Sequence, residues 1–260
     1  MPIRFEISDK WVRAFVGDTV LVDSRRPVLF WPEKFPIPGY AFEPADVRMD
    51  LLHPSAAVPP RDPFFFLPKG TVAQWYDLRV GNRELRHAAW TLADEELRGK
   101  VVLTWQPGVL DRWQEEDEKV FAHPRDPYKR VEAISSTRHV TVALDGVELA
   151  DSTRPVLLFE TGLPTRYYLP ITDVAMAAMQ EVEHQSHCPY KGTADRYWSL
   201  PTTPGRPSAE HVAWSYTSPE PAVGKVAGLM AFYNELVDIA VDGVQIHRPV
   251  SVFSEVGNRP

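Results

Sequence analysis

The chain contains the same pattern twice, and this internal repeat constrains its fold more than any other feature. The segment VRAFVGDTVLVDSRRPVLF in the first half matches VTVALDGVELADSTRPVLLF in the second. Further pairs follow in the same order: ADVRMDLL with TDVAMAAM, FLPKGTVAQWYDL with CPYKGTADRYWSL, and HAAWTL with HVAWSY. Because the order of the pairs is kept, we infer a tandem duplication with repeats over residues 1–136 and 137–260.

Residue patterns within each repeat predict antiparallel strands joined by tight turns. In VTVALDGVELAD, apolar and polar residues alternate on both sides of Asp145-Gly146, a dipeptide that favours a type I′ turn. The first repeat has Gly17-Asp18 at the matching place, and a further hairpin is expected around Asp242-Gly243. RPVLLFE, TRYYLP, DRYWSL and HVAWSYT are rich in branched and aromatic residues, which favours strands.

The segment ITDVAMAAMQEV predicts one short helix. Val174, Ala178 and Val182 recur every four residues, and Thr172 or Asp173 is placed to cap the first turn. The expected fold is therefore a β-rich α+β protein. It consists of two tandem repeats, each a compact antiparallel sheet with one short helix.

Composition limits the classes of partner. The formal net charge is -7 and no basic stripe stands out, so we expect no nucleic-acid partner. No run of about 18 apolar residues is present, and MPIRFEISDKW lacks the apolar segment of a signal peptide, so we expect no membrane association. The single cysteine cannot form an internal disulfide, which favours a cytoplasmic protein with a reduced thiol.

Cys188, the only cysteine, begins the most informative motif, CPYKG. Lys191 is close enough in sequence to stabilise a thiolate if both side chains face one cavity. Pro189 and Gly192 bracket a turn that brings backbone N–H groups near the sulfur, and such groups with a lysine suit an anionic ligand. A lone cysteine is also commonly a small buried hydrophobic residue, and this alternative stays open.

The two repeats differ at this motif. Lys191 is kept as Lys69, whereas Cys188, Tyr190 and Asp195 are replaced in the first repeat by Phe66, Pro68 and Ala73. A thiol, an aromatic ring and a carboxylate are thus lost together. We infer that the first repeat keeps the scaffold, and that the second keeps the polar site.

Other chemistries have weaker support. His184, His187 and Cys188 form HQSHC, but a zinc site normally needs a further pair of spaced ligands, so we expect no metal. A Cys-His nucleophile would use His187 or His211 as base. The chain has no GxSxG, no P-loop and no GxGxxG, and no cofactor is expected.

Several of these segments together resemble the DUF427 family in its two-repeat form. The resemblance rests on DSTRPVLLFETGLPTRYYLPITDV, CPYKGTADRYWSL, HVAWSYTSPEP and EDEKVFAHPRDPYKRVEAISSTRHV, of which CPxKGTA is the most specific part. It implies a compact β-rich fold with a pocket near the CPxKG turn. The family also carries a nucleotidyltransferase label, but this chain has no carboxylate pair or glycine-rich phosphate loop that would support that activity.

Three hypotheses follow for function. In the first, the second repeat binds an unknown small molecule in a pocket lined by His187, Tyr190, Tyr197 and Trp214. Lys191 would bind an anionic group, Cys188 would contact or attack the ligand, and Asp195 would orient Lys191 or accept a proton. In the second, the protein is a non-enzymatic interaction scaffold with an inert, buried thiol. In the third, it is an enzyme that uses Cys188 as a covalent nucleophile. The oligomeric state does not follow from the sequence.

Overall fold

The computed structural model describes residues 3–33, 35–59, 66–202, 208–251 and 253–254. Internal contacts divide the chain into two compact units, Met1–Asp126 (unit 1) and Pro127–Pro260 (unit 2). Both are built mainly from antiparallel strands, so the predicted β-rich class is confirmed. None of the described helices is long and apolar enough to cross a membrane.

The described part of unit 1 forms the strands β1 (Arg4–Ile7), β2 (Val12–Val16), β3 (Thr19–Ser24), β4 (Val28–Trp31), β5 (Gly39–Phe42), β6 (Leu52–Ser55), β7 (Val72–Val80), β8 (Arg83–Leu92), β9 (Val101–Leu103), β10 (Arg112–Glu115) and β11 (Glu118–Val120). A seven-stranded sheet has the order β1-β4-β5-β9-β8-β7-β6, and a four-stranded sheet has the order β11-β10-β2-β3.

The described part of unit 2 forms the strands β12 (Val131–Ser135), β13 (Val140–Leu144), β14 (Val147–Ser152), β15 (Val156–Glu160), β16 (Arg166–Pro170), β17 (Gln180–Val182), β18 (Ser186–Cys188), β19 (Gly192–Ala194), β20 (Arg196–Leu200), β21 (Ala209–Ser215), β22 (Leu229–Phe232), β23 (Asp238–Val241) and β24 (Val244–Ile246). Its seven-stranded sheet has the order β12-β15-β16-β22-β21-β20-β17, and its four-stranded sheet the order β14-β13-β23-β24. The hairpin β18-β19 is separate.

The two large sheets have the same strand order, and the registers match residue by residue. Val28 pairs with Ala41 in unit 1, as Val156 pairs with Tyr168 in unit 2. Trp75 pairs with Trp90 in unit 1, as Tyr197 pairs with Trp214 in unit 2. These registers extend the sequence alignment into the strands and identify which residues of the two units are counterparts.

Side chains alternate between the two faces of each large sheet, so each unit has two hydrophobic clusters, one on either face. In β16, Tyr167 and Leu169 pack into a cluster with the four-stranded sheet, whereas Tyr168 faces a second cluster. That second cluster also contains Tyr197, Trp214, Tyr216 and Tyr233. Successive strand residues point to opposite faces, so the polar-edged aromatic residues collect on one side of the sheet.

The predicted turns are confirmed. Asp145 and Gly146 have φ of 51° and 78°, as a type I′ turn requires, and Asp242 and Gly243 have φ of 53° and 79°. The turn between β2 and β3 lies at Gly17. The strands predicted from RPVLLFE, TRYYLP, DRYWSL and HVAWSYT are present as β15, β16, β20 and β21.

The predicted helix over ITDVAMAAMQEV is wrong. The segment forms two single 3₁₀ turns, Ile171–Asp173 and Met176–Ala178, followed by β17. Val174 between them is extended and bridges Ala150, and the Ala175 N–H donates to the Leu149 carbonyl. The backbone groups that a helix would need are therefore engaged by β14, and tertiary pairing overrides the apolar spacing.

The division between the units lies ahead of the sequence-based boundary after residue 136. Strand β12 precedes that boundary, and it pairs with β15 in the sheet of unit 2. It is the counterpart of β1, which also precedes the first recognisable residues of its repeat. Edge strands of this kind have little sequence similarity, so the repeat pattern begins later than the folded unit.

A buried serine fixes the same corner in both units. The Ser24 hydroxyl donates to Asp46 at 2.6 Å, and the Ser152 hydroxyl donates to Asp173 at 2.7 Å. Both serines are almost fully buried, at 0% and 2% exposure. Each also accepts a hydrogen bond from the backbone N–H two residues on.

We expect Ser24→Ala and Ser152→Ala each to lower the free energy of unfolding by about 1–3 kcal/mol, because each removes the buried hydroxyl that donates to the carboxylate. Urea denaturation followed by tryptophan fluorescence measures the effect. Thr137→Ala, at an exposed position, is the control and should leave the midpoint unchanged. A cost in only one of the serine variants would contradict the equivalence of the two corners.

Candidate functional site

The CPYKG motif forms the turn of a short hairpin in unit 2. Cys188 ends β18 and pairs with Gly192, which begins β19. Gly192 has φ of +94°, and a Cβ there would lie 3.3 Å from the backbone nitrogen of Glu220. The Glu220 N–H donates to the Lys191 carbonyl at 3.0 Å. Glycine is therefore needed for both the backbone conformation and the close approach of the neighbouring chain.

Lys191 makes a salt bridge with Glu160 at the end of β15. The Lys191 side chain is 15% exposed and that of Glu160 is 6% exposed. Glu160 was not among the predicted site residues. Asp195, which was expected to orient Lys191, instead accepts a hydrogen bond from the Thr217 N–H at 2.9 Å. The carboxylate that holds Lys191 thus comes from a strand far away in sequence.

The surroundings of Lys191 favour its charged form. Burial alone would lower the pKa of its ammonium, but the negative charge of Cys188 and Glu160, together with the hydrogen bond to Glu160, outweighs burial and raises the pKa. Lys191 and Cys188 are therefore in electrostatic contact.

Four buried tyrosines surround this turn, and their pKa values are all raised by burial, that of Tyr168 to about 12. They are Tyr168, Tyr197, Tyr216 and Tyr233. Since the raised pKa values keep the hydroxyls protonated at neutral pH, the wall is uncharged. The site combines one ion pair, one thiol and a set of neutral hydroxyls.

Hydrogen bonds fix these rings. The Trp214 Nε1–H donates to the Tyr168 hydroxyl at 3.1 Å, and the two rings meet edge to face. The Tyr197 hydroxyl is 2.5 Å from the Ser186 Oγ and is also hydrogen-bonded to Tyr233. Tyr197 and Trp214, both predicted site residues, therefore belong to the buried cluster.

The remaining predicted residues lie at the periphery. Cys188 and Tyr190 are half-buried, and His187 is exposed, with its Nδ1 at 2.9 Å from the Thr193 Oγ1. His211, considered as a catalytic base, has φ of +47° and stacks on His184 at a centroid distance of 4.1 Å. Its counterpart His87 has φ of +53°, so both histidines share an unusual backbone conformation beside a bulge.

No group of three or more His, Cys, Asp or Glu residues in the described ranges is placed to hold a metal ion.

The family model for the domain of unknown function DUF427 matches residues 4–102 and 132–243. The chain belongs to the DUF427 family. The match has two parts, one in each unit, and together they cover most of the chain, which agrees with a tandem form. A comparison with curated proteins gives no match.

The first DUF427 segment retains the lysine but differs at the positions around it. Lys69 corresponds to Lys191 in the aligned repeats, Pro32 to Glu160 and Phe66 to Cys188, and the strand register places Ala41 at the position of Tyr168. Burial lowers the pKa of Lys69 from 10.5 to about 8. Two equivalent lysines in one chain thus have pKa shifts of opposite sign.

Three residues of the polar cluster were not predicted from the sequence, although the comparison of the two repeats distinguishes them. Glu160, Tyr168 and Tyr216 differ from their counterparts Pro32, Ala41 and Leu92 in the same way that Cys188 differs from Phe66. The aligned strand segments of the two repeats therefore contain a signal for the whole polar cluster, in addition to the CPYKG motif.

The glycine of the turn gives a matched pair of variants. We expect Gly192→Ala to lower the free energy of unfolding by about 1–2 kcal/mol, because the added Cβ forces a left-handed conformation and crowds Glu220. Gly70→Ala, the counterpart in unit 1, should have little effect, since its Cβ would meet only ordinary contacts at 3.5 Å and beyond. Equal costs in urea denaturation would contradict this account of the turn.

The two lysines should respond in opposite ways to removal of the charge. We expect Lys191→Met to destabilise the protein by about 3 kcal/mol or more, because Glu160 is left buried without its partner. Lys69→Met should stabilise it at pH 7, where the wild-type amine is charged despite burial.

The advantage of Lys69→Met should shrink as pH rises from about 8 toward 10.5, because the folded wild-type protein loses its Lys69 proton before the unfolded chain does. Urea midpoints of variant and wild type, compared at each pH, measure this difference. A difference that stays constant between pH 7 and pH 10 would contradict the lowered pKa.

Proposed function

We propose that this protein binds a small molecule at the CPYKG turn of unit 2, with Cys188 in contact with the ligand. The observation that carries the proposal is the charged Lys191 in electrostatic contact with the only thiol, beside a wall of aromatic rings with polar edges. Apolar walls with a few converging polar groups are the usual composition of small-molecule sites.

Lys191 serves two purposes in this proposal. Its charge favours the thiolate of Cys188, and it offers an electrostatic partner to an anionic group of the ligand. Glu160 already forms a salt bridge with the Lys191 ammonium. The anionic group of the ligand would therefore either share Lys191 with Glu160 or displace Glu160 from it. Weakly charged polar ligands, such as enolates or oxyanions, therefore suit the site better than strongly hydrated multiply charged ions.

A covalent reaction of the Cys188 thiol with its ligand would extend this binding function. The Cys188 sulfur would attack an electrophilic carbon, a sulfur–carbon bond would form, and the leaving group would depart with its electron pair. His187 is the neighbour of Cys188 on β18, so its side chain points to the opposite face of the hairpin, and solvent would protonate the leaving group.

The alternative is an interaction scaffold in which Cys188 is inert. The dense hydrogen bonding around Tyr168 and Tyr197, and the pairing of Lys191 with Glu160, favour this alternative, because they also stabilise a filled core. Under either proposal we place the protein in the cytoplasm, on the evidence of its single cysteine.

The rate of Cys188 alkylation by iodoacetamide at pH 7, followed by intact mass, tests the proposal. We expect the folded wild-type protein to be labelled, and Lys191→Met to be labelled several-fold more slowly because the thiolate loses its cation. Lys191→Arg keeps the charge and should stay closer to wild type. Lys225→Met, at an exposed position, is the control for loss of one positive charge and should leave the rate unchanged.

Circular dichroism shows whether each variant is folded, so that slow labelling is not confused with unfolding. Labelling of the wild-type protein only after denaturation would contradict the proposal and support the scaffold. A thermal-shift screen of small anions and electrophiles then identifies the ligand, since binding to the native state raises the midpoint. Hits that are unchanged in Cys188→Ala would lie elsewhere.

A further inference from the structure

Unit 1 contains a cavity of about 70 Å³ at the position that corresponds to the polar cluster of unit 2. A single water needs about 10–15 Å³ on this measure, so the cavity has room for a ligand of several heavy atoms. Its walls are mainly apolar and include the aromatic rings of Phe30, Phe35, Phe66, Trp90 and Trp105. Lys69 also lines it, and its Nζ lies 4.7 Å from the centre of the Phe35 ring.

A buried donor in the cavity wall lacks an acceptor. Trp90 is 6% exposed, and its Nε1–H has no hydrogen-bond partner among the residues that the structure describes. The counterpart Trp214 donates to the Tyr168 hydroxyl at 3.1 Å. In unit 1 the position of Tyr168 is Ala41, which has neither ring nor hydroxyl. Because an unpaired buried N–H costs free energy, a ligand oxygen placed there would be favoured.

Other walls of the cavity are also counterparts of the surroundings of Tyr168. Trp90 corresponds to Trp214, Lys69 to Lys191 and Val102 to Ala231, which pairs directly with Tyr168. Tyr168 and Lys191 are in electrostatic contact in unit 2. In unit 1, Lys69 and Trp90 line the same cavity, so a ligand oxygen inside it has both side chains in its wall.

We propose that the cavity of unit 1 binds a small phenol, whose oxygen takes the place that the Tyr168 hydroxyl occupies in unit 2. The phenol oxygen accepts hydrogen bonds from the Trp90 Nε1–H and from the Lys69 ammonium, which is still charged at pH 7 with a pKa of about 8.

The unit 2 site serves as the template for a phenol in particular. Tyr168 combines one six-membered ring with one oxygen, and that oxygen is the acceptor that Trp90 lacks. The aromatic walls suit a flat ring, since offset and edge-to-face ring contacts are favourable. The proposal concerns unit 1 and does not depend on any activity of Cys188.

Isothermal titration of the full chain with p-cresol, the side chain of tyrosine, tests the proposal. We expect saturable binding with one site per chain, and several-fold weaker binding of toluene, which lacks the oxygen. Trp90→Phe keeps the ring but removes the donor and should weaken p-cresol binding several-fold while leaving toluene unchanged. Lys69→Met should weaken p-cresol in the same selective way.

Two further variants connect the cavity with Tyr168. Ala41→Tyr should abolish p-cresol binding by supplying the ring from the chain itself. Tyr168→Ala should create a second p-cresol site in unit 2, so that the compound partly restores the lost thermal stability. Because each variant changes a different unit, misfolding of one leaves the other result informative.

Several outcomes would overturn the proposal. These are no saturable binding of p-cresol to the wild-type protein, equal binding of p-cresol and toluene, and binding that Trp90→Phe and Lys69→Met leave unchanged. Tighter binding of benzoate than of p-cresol would mean that the cavity binds an aromatic carboxylate and not a phenol. Binding that persists in folded Ala41→Tyr would place the ligand outside the volume inferred from Tyr168.

Discussion

A charged amine buried in a protein is stabilised by an opposite charge close by. The two units differ in the groups that surround their equivalent lysines, Lys191 and Lys69. In unit 2, Glu160 reaches Lys191 from the end of β15, and the thiol of Cys188 lies within electrostatic range. The tyrosine hydroxyls then remain neutral around a site whose charges are balanced. In unit 1, Pro32 corresponds to Glu160 in the aligned repeats, and Lys69 lines a mainly apolar cavity, where burial lowers its pKa. The rest of each site follows from this difference.

Duplication explains how one backbone supports both arrangements. The strand order and registers are shared, and the buried serine corner is kept, so the scaffold depends on features common to both units. The residues that differ lie on one face of the large sheet. There, Ala41 in place of Tyr168 removes a ring and a hydroxyl at once, which is consistent with the cavity in unit 1 and the filled cluster in unit 2.

Much of the fold was predictable because it depends on local signals. Asp145-Gly146 and Asp242-Gly243 specify their turns through positive φ, and alternating apolar residues specify the strands beside them. The helix over residues 171–182 failed because β14 competes for its backbone through Ala150 and Leu149, a contact between distant segments. Glu160 was not predicted as the partner of Lys191 for the same reason: the two residues are far apart in sequence, and only the fold brings them together. Cys188 and Lys191 were found because they share one turn.

The central claim is that equivalent lysines carry opposite pKa shifts because of the groups around them. Nuclear magnetic resonance of the protein with ¹³C-labelled lysine side chains, titrated from pH 6 to pH 11, tests this most directly. The account expects one Cε resonance, absent from Lys69→Met, to titrate near pH 8, and one, absent from Lys191→Met, to remain unchanged throughout. If both resonances titrated together near the ordinary value of 10.5, the account of the two sites would be contradicted.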